Sequence, residues 1–343
     1  MTHFLTYEEI LKTKSINKTL EILYQSDFSK NKLSDLKNNS LASVRLRTAL
    51  AAEAAFKLAW NIKLNNPNDT VFTDILLVGK VNIDITANWL ERIKKIKISG
   101  GKVVIDYTDH HLDSNSPLSS FYQNVIKYSD LFVCSSKTLQ QKVAQFNNIK
   151  TTIVDDPIEV PILSPKNKDN KITTILWFGH SSNIVYLIEW LLKNFKSKFD
   201  AKLIVMTNAY PLPEPYYQAL STPQFENLEI AVVPWSKNDM IKAAQLSDFC
   251  ILPTGYKDER KSGASSNRLI TAIALGLPVL SDKLESYLSF EKYFDQISES
   301  EIQKKIINPN INMEIIKEAQ KLIVKNYSMK NIQNKWGDLL KNL

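Results

Sequence analysis

The sequence predicts an α/β protein of two similar domains, each a parallel sheet with helices on both faces. Three observations carry that expectation. From about residue 73, short apolar runs rich in β-branched residues (ILLVGK, KVVIDY, LFVCS, TTIVD) alternate with helical sequence, the pattern of βαβ units. A second series of the same kind (TTILWFG, AKLIVMT, LEIAVVP, DFCILPT, PVLSD) fills the later half. Between them, after Asp156-Pro157, lies PILSPKNKDNK, a polar stretch rich in proline and lysine that reads as a domain boundary.

Composition narrows the function classes. The 343 residues suffice for two domains with separate cores. Hydrophobic residues at 44% and charged residues at 23% exclude a disordered chain. Lys+Arg 43 against Asp+Glu 36 leaves a net charge of +7, which suits anionic sugar nucleotides or an anionic membrane surface. The two cysteines, Cys134 and Cys250, each sit in an apolar run and read as buried thiols of a reducing cytosol, not as a disulfide or metal pair. No signal peptide or membrane span is visible: the most apolar early segment, 41–60, contains Arg45, Arg47, Glu53 and Lys57. Signatures of P-loops, dinucleotide sites, zinc sites and serine hydrolases are all missing, and 8 glycines leave little room for an NAD fingerprint. No basic and aromatic interleaving points to nucleic acid as a partner.

Taken in order, TYEEILKTKSINKTLEILYQ and SVRLRTALAAEAAFKLAW space their apolar residues as helices do. Residues 1 to about 65 are therefore expected to be helices with polar breaks: a packed cap, a membrane-facing surface or a dimer contact. Helices are expected next in NIDITANWLERIKKIKIS, around SSFYQNVIKY and in SKTLQQKVAQF, between the first strands. YSDLFVCSS and LSDFCILPT each end a helix on Ser-Asp before a strand with a cysteine, a likeness that two similar domains explain. The tail from Met313 is helical by pattern.

The densest chemistry lies in PTGYKDERKSGASSNRLITAIALGLPVLSD, residues 253–282. Leu269, Ile270, Ile273, Ala274 and Leu277 recur at helical spacing, and Ser262 reads as the N-cap. Gly276 stands where a helix closes in the left-handed conformation, and Pro278 stops it. The loop thus brings Lys261, Ser262, Ser265, Ser266, Asn267 and Arg268 to the first turns of a helix, where free N–H groups and the positive dipole end favour a phosphate or diphosphate.

N-R-L-x-x-A-x-A-L-G-L-P-V-L resembles the donor-binding segment of GT-B glycosyltransferases, in particular the mostly retaining, family-4-like group of bacterial polysaccharide enzymes. That group usually has a Glu five residues before the Gly and another eight residues earlier; Thr271 and Gly263 stand there in this chain. The resemblance implies two Rossmann-like domains of GT-B type, with a helical N-terminal extension and a last helix that crosses back to the first domain. The expected divisions are 1–160 on the acceptor side, a linker at 161–171, 172–325 for the nucleotide-sugar, and 326–343 for the returning helix.

Three other places are candidates for the site. W-x-G-x-x-S-N at 177–183 resembles the first turn of the donor domain in this group: Gly179 would let backbone approach phosphate, with His180, Ser181 and Asn183 beside it. DYTDHHLD at 106–113 ends a first-domain strand, so Asp109, His110 or His111 is expected to face the same cleft as Gly179 and Lys261, binding the donor sugar or deprotonating the acceptor. The same string suits a metal-dependent phosphoesterase of the DHH type, whose other ligands are missing from this sequence. Trp235 could stack on a nucleobase or pack as core, and Thr254 ends the strand before the basic loop.

The expected activity is transfer of a sugar from a nucleotide-sugar donor to a cell-surface glycan or lipid-linked acceptor, with no metal and no further cofactor. Lys261, Arg268 and the helix start would stabilise the departing phosphate. The place implied is the cytoplasm, with peripheral contact at the inner face of the plasma membrane. A glycosyltransferase-like scaffold without catalysis is the non-enzyme alternative.

Overall fold

A computed structural model describes residues 18–24, 33–64, 72–112, 115–146, 149–165, 167, 172–196, 200–255, 258, 261, 263–309 and 312–343. The first unit runs β1 (Thr19–Leu23), α1 (Leu33–Lys37), a wide helical turn at Val44–Thr48 leading into α2 (Ala49–Lys57), β2 (Asn61–Leu64), β3 (Ile75–Val78), α3 (Thr86–Ile98), β4 (Lys102–Tyr107), α4 (Ser119–Val125), β5 (Leu131–Cys134), α5 (Lys137–Phe146) and β6 (Thr151–Ile153). Its six strands lie in the order β2-β1-β3-β4-β5-β6, every pair parallel.

The second unit contains β7 (Thr173–Gly179), α6 (Ile184–Asn194), β8 (Ala201–Thr207), α7 (Glu214–Leu220), β9 (Leu228–Pro234), α8 (Lys237–Leu246), β10 (Phe249–Leu252), α9 (Asn267–Ala274), β11 (Val279–Ser281), β12 (Asp295–Gln296) and α10 (Glu299–Ile307). Its order is β12-β11-β10-β7-β8-β9, again all parallel. Strand order reverses between β1 and β3 in one sheet and between β7 and β10 in the other. Crevices beyond the carboxyl ends of strands at such reversals are where open α/β sheets bind ligands. The β-branched runs ILLV and FCIL are buried throughout, as strands covered on both faces must be.

The helical expectation for residues 1–65 is corrected in part. TLEIL is β1, a strand inside the sheet between β2 and β3, and NIKL is β2 at its edge. Glu21 made the run look like a helix with a wet face. The structure buries that carboxylate completely, against the Arg92 guanidinium of α3 at 2.5 and 2.8 Å and the Thr73 hydroxyl at 2.8 Å. The alanine-rich stretch after Ser43 is helical, as its propensity predicts. Residues 1–17, where the first helix was expected, lie outside the described residues.

Two helices finish the chain and belong to different cores. α11 (Met313–Tyr327) buries Ile316, Ala319 and Ile323 with the second unit. Ser328 then turns the chain in an extended conformation and its hydroxyl accepts the Asn331 N–H, capping α12 (Met329–Lys341). α12 places Ile332, Trp336 and Leu340 in the core of the first unit, against α2. Gly337 lies opposite Ala54, so two small residues let these helices approach closely. The outgoing chain crosses beside the returning one: the Ile158 N–H donates to the Tyr327 carbonyl at 2.9 Å. By Leu163 the connector is bound to the second unit, through Ala274 and Gln320. Of the expected linker, residues 166 and 168–171 are outside the described residues.

Candidate functional site: a cleft between the two units

A cleft of about 480 Å³ opens between the two sheets, lined from both sides at the carboxyl ends of β3, β4, β7, β9 and β10. On the second-unit side, α9 supplies the base of the site. Leu269, Ile270, Ile273 and Ala274 are fully buried and fix its axis. The helix begins at Asn267 after Ser266, later than a cap at Ser262 would allow; Ser262 itself lies outside the described residues. Gly276 closes it at φ +78°, and a Cβ there would fall 2.9 Å from the Leu163 carbonyl. Lys261, Asn267 and Arg268 all line the cleft, with Thr271 one turn on.

The guanidinium of Arg268 reaches under Gly179, its Nη1 3.5 Å from where a Cβ on that glycine would sit. This nitrogen is buried and has no hydrogen-bond partner, a costly state for a cationic donor unless an acceptor comes to it. Gly179 ends β7, and His180 caps the next turn by accepting the Ser182 N–H on its Nδ1 at 3.2 Å. The neutral ring therefore carries its hydrogen on Nε2. Ser181 spends its N–H on the Asn208 side chain at 2.8 Å, and it is Ser182 and Asn183 that face the cleft. Thr254 lines the cleft but is held from behind, its N–H and hydroxyl both donating to Asp282 at 2.6 and 3.2 Å.

On the first-unit side, Lys80 follows β3 and Thr108 and Asp109 follow β4. The Lys80 amine donates to Asp109 at 2.8 Å. Burial alone would raise the Asp109 carboxyl, but Lys80 and Lys261 outweigh it and hold it far below the ordinary carboxylate range. Lys261 moves the other way: burial lowers it, Asp109 opposes, and Lys80 and Arg268 lower it further. His180 is likewise lowered, by burial and then by Lys80 and Lys261. The potential between the walls is thus positive despite Asp109, as an anion site requires.

His110 and His111 do not share that face, and their expected place in the cleft is corrected. The Tyr107 hydroxyl accepts the N–H groups of His111 and Leu112 at 2.6 and 3.0 Å, folding the loop around it. His110 is buried, with Nδ1 3.3 Å from the same hydroxyl. His111 stacks on Tyr122 and bonds Ser116 at 2.8 Å. Asp109 alone of the three lines the cleft. Asp113 is outside the described residues, and among the described residues no group of three potential ligands converges as a metal site.

Sequence reasoning missed the floor of the cleft, where both units meet on the connector. Arg47, fully buried in the first unit, donates to Asp106 at 2.7 Å, to the Val154 carbonyl at 2.6 Å and to Asp156 at 2.8 Å. The other Asp156 oxygen accepts the Ser265 hydroxyl at 2.5 Å, just before α9. Asn267 donates to the Pro157 carbonyl at 2.9 Å, so this expected donor ligand has a structural partner. Ser136 adds a buried bond from the first unit to the Gly263 carbonyl at 2.8 Å. Trp235 borders the cleft, partly buried against the second core, and one of its faces is covered by Arg45. The charges of Arg45 and Arg47 gave no sequence signal, because a basic residue in a helix ordinarily reads as solvated.

Comparison with protein-family models and with curated protein sequences gives no match. Solved structures do match over nearly the whole chain. HepE from Anabaena, in complex with UDP and glucose, is 11% identical, covers 94% of this chain and 99% of its own, and superposes with a TM-score of 0.64. Sucrose-phosphate synthase from Thermosynechococcus elongatus is 9% identical over 95% and 99%, with a TM-score of 0.66. A glycosyltransferase from Rickettsia africae is 12% identical over 96% and 100%, at 0.61. At such identities the likeness is one of architecture: two parallel-sheet domains around a cleft, with a last helix crossing back. The chain has the GT-B fold.

Proposed function

We propose that this chain is a glycosyltransferase that moves a sugar from a nucleoside-diphosphate donor to a glycan or lipid-linked acceptor of the cell surface. The observation that carries the reading is the buried, unpartnered Nη1 of Arg268 at the start of α9, beside Gly179 and on one wall with Lys261. A diphosphate supplies the acceptors such a group lacks, and charge-assisted bonds to phosphate are about twice as strong as neutral ones. The UDP and glucose present in HepE agree with that assignment. Fixed cations and the helix start provide the charge that stabilises the leaving group, so the reaction is proposed to need no metal and no cofactor.

Retention of configuration is the favoured course. Asp109 is pinned by Lys80 and is a weak base at its depressed pKa. His180 commits its Nδ1 lone pair to Ser182. Neither is poised as a general base, so the departing phosphate oxygen is proposed to take the acceptor proton. The bond from the anomeric carbon to that oxygen breaks with its electron pair on phosphate, and the acceptor oxygen bonds the same face of the carbon. No helix among the described residues is long and apolar enough to cross a membrane; the enzyme is proposed to work at the cytoplasmic face, where lipid-linked acceptors are presented.

The test is a panel of UDP-, GDP-, ADP- and CMP-sugars assayed for nucleotide release, with calorimetry for each free nucleotide. One nucleotide should bind, and its sugar should be released with EDTA present. Absence of binding across the panel would leave a scaffold. Activity on phosphodiesters lost in EDTA and restored by manganese would favour the phosphoesterase.

A further inference from the structure

We infer that Lys80 is a catalytic residue, which meets from the first domain the charge that develops on the departing phosphate opposite Lys261 and Arg268. This rests on the cleft being a nucleotide-sugar site. Lys80 stands just past β3, where the first sheet reverses its strand order beside β1, and the Gly79 N–H donates to the Leu23 carbonyl at 2.8 Å to fix the backbone there. Its side chain is 39% exposed, so the ammonium is reached from the cleft. Its one recorded ion pair is with Asp109, and its charge is felt across the gap at both Lys261 and His180.

Asp109 in turn is stabilised by a cation from each domain, Lys80 beside it and Lys261 opposite. A pair serving only to brace the first domain would have no reason to face Lys261. The arrangement instead presents an ammonium, oriented by its own carboxylate, to the place where a phosphate held by Lys261 and Arg268 would lie. As the glycosidic bond to phosphate breaks, one oxygen gains negative charge. Lys80 stays protonated and donates to it. The donor before reaction lacks that charge, whereas the free nucleoside diphosphate carries it. Lys80 should therefore matter more for turnover and for the product than for the donor.

The experiment uses the full chain with UDP-glucose as donor and UDP as inhibitor, or the corresponding pair if the panel selects another nucleotide. Lys80→Met should cut turnover about 100-fold and weaken UDP inhibition about tenfold, with donor KM within about twofold. Lys80→Arg should restore most of the loss, and both variants should melt with the wild type. Turnover of Lys80→Met within about threefold of wild type overturns the inference. So does a joint loss of turnover, donor KM and melting temperature that Lys80→Arg fails to rescue, which is the mark of a bracing role. If the wild type itself binds no nucleotide, the glycosyltransferase reading falls first, and Lys80 with it.

Discussion

The guanidinium carbon of Arg45 lies 4.3 Å from the centre of the Trp235 ring, so a side chain of the first domain covers an aromatic face of the second. Glu159 of the connector holds that guanidinium with two bonds, at 3.1 and 2.7 Å, and the carbonyls of Asn39 and Ser40 take its remaining nitrogen. The contact is cation–π stacking with the cation locked in place, and it ties the domains at the floor of the cleft.

Arg45→Ala should open this contact. Glu159 would keep only Lys237, at 3.4 Å, and the loss in stability should be on the order of 3 kcal/mol, as for a buried pair broken on one side. Urea unfolding measures the stability. Iodide quenching, with Trp235→Phe to identify the signal, should show Trp235 newly accessible.

Asp156→Ala removes the carboxylate that Arg47 and Ser265 share. Arg47 retains Asp106, whose carboxyl burial pushes up to about 6 even against the pull of Arg47. The variant should lose on the order of 3–5 kcal/mol and bind nucleotide more weakly, because Ser265 leads into α9. Unchanged stability would show that the connector needs no such anchor.

His180 serves as a reporter of the cleft. Burial, Lys80 and Lys261 lower its pKa, so its NMR titration midpoint should fall below about 6.5, the usual value for histidine. Lys80→Met or Lys261→Met should move the midpoint up, since each removes a cation that disfavours the imidazolium. Added diphosphate should raise it as well. A midpoint indifferent to both lysines would place them out of its reach.

Arg268→Ala should slow transfer about 10²–10³-fold with the fold intact, since the lost nitrogen had no protein partner to abandon. Gly179→Ala puts a methyl 3.5 Å from that nitrogen and 3.2 Å from the Trp177 ring, so it should weaken nucleotide binding by displacing Arg268. Steady-state kinetics and calorimetry on both variants decide this.

Gly276→Ala is a stability test independent of function. The left-handed backbone at φ +78° costs a non-glycine residue about 1–2 kcal/mol. The Cβ would also crowd the Leu163 carbonyl at 2.9 Å, and that is rigid backbone. The melting temperature should fall by several degrees.

The sheets were legible because β-branched runs buried on both faces leave no helical pattern to confuse them, as in ILLV and FCIL. β1 was not, because Glu21 marks a wet face until Arg92 arrives from 71 residues away. The donor wall was readable at Gly179, Lys261 and Arg268, where local spacing places a turn and a helix start. Asp109 was seen but its partner was missed: Lys80 closes the run ILLVGK, and the rule that ligands gather at strand ends applies to it equally. His110 and His111 misled, because a string of ligand types says nothing of the Tyr107 hydroxyl that folds it inward. Arg45, Arg47 and Asp156 act only through contacts more than 100 residues apart in the chain, which no local pattern encodes.

The placement of α12 bears on how the molecule is made. The ribosome releases β6 long before Trp336, yet Trp336 fills the same core as β1 and α2. During synthesis the alanine face of α2 therefore waits uncovered while the entire second domain emerges and folds. Each domain reaches its finished state only with the other already built, so excising either as a separate fragment exposes an apolar seam that the intact chain closes last.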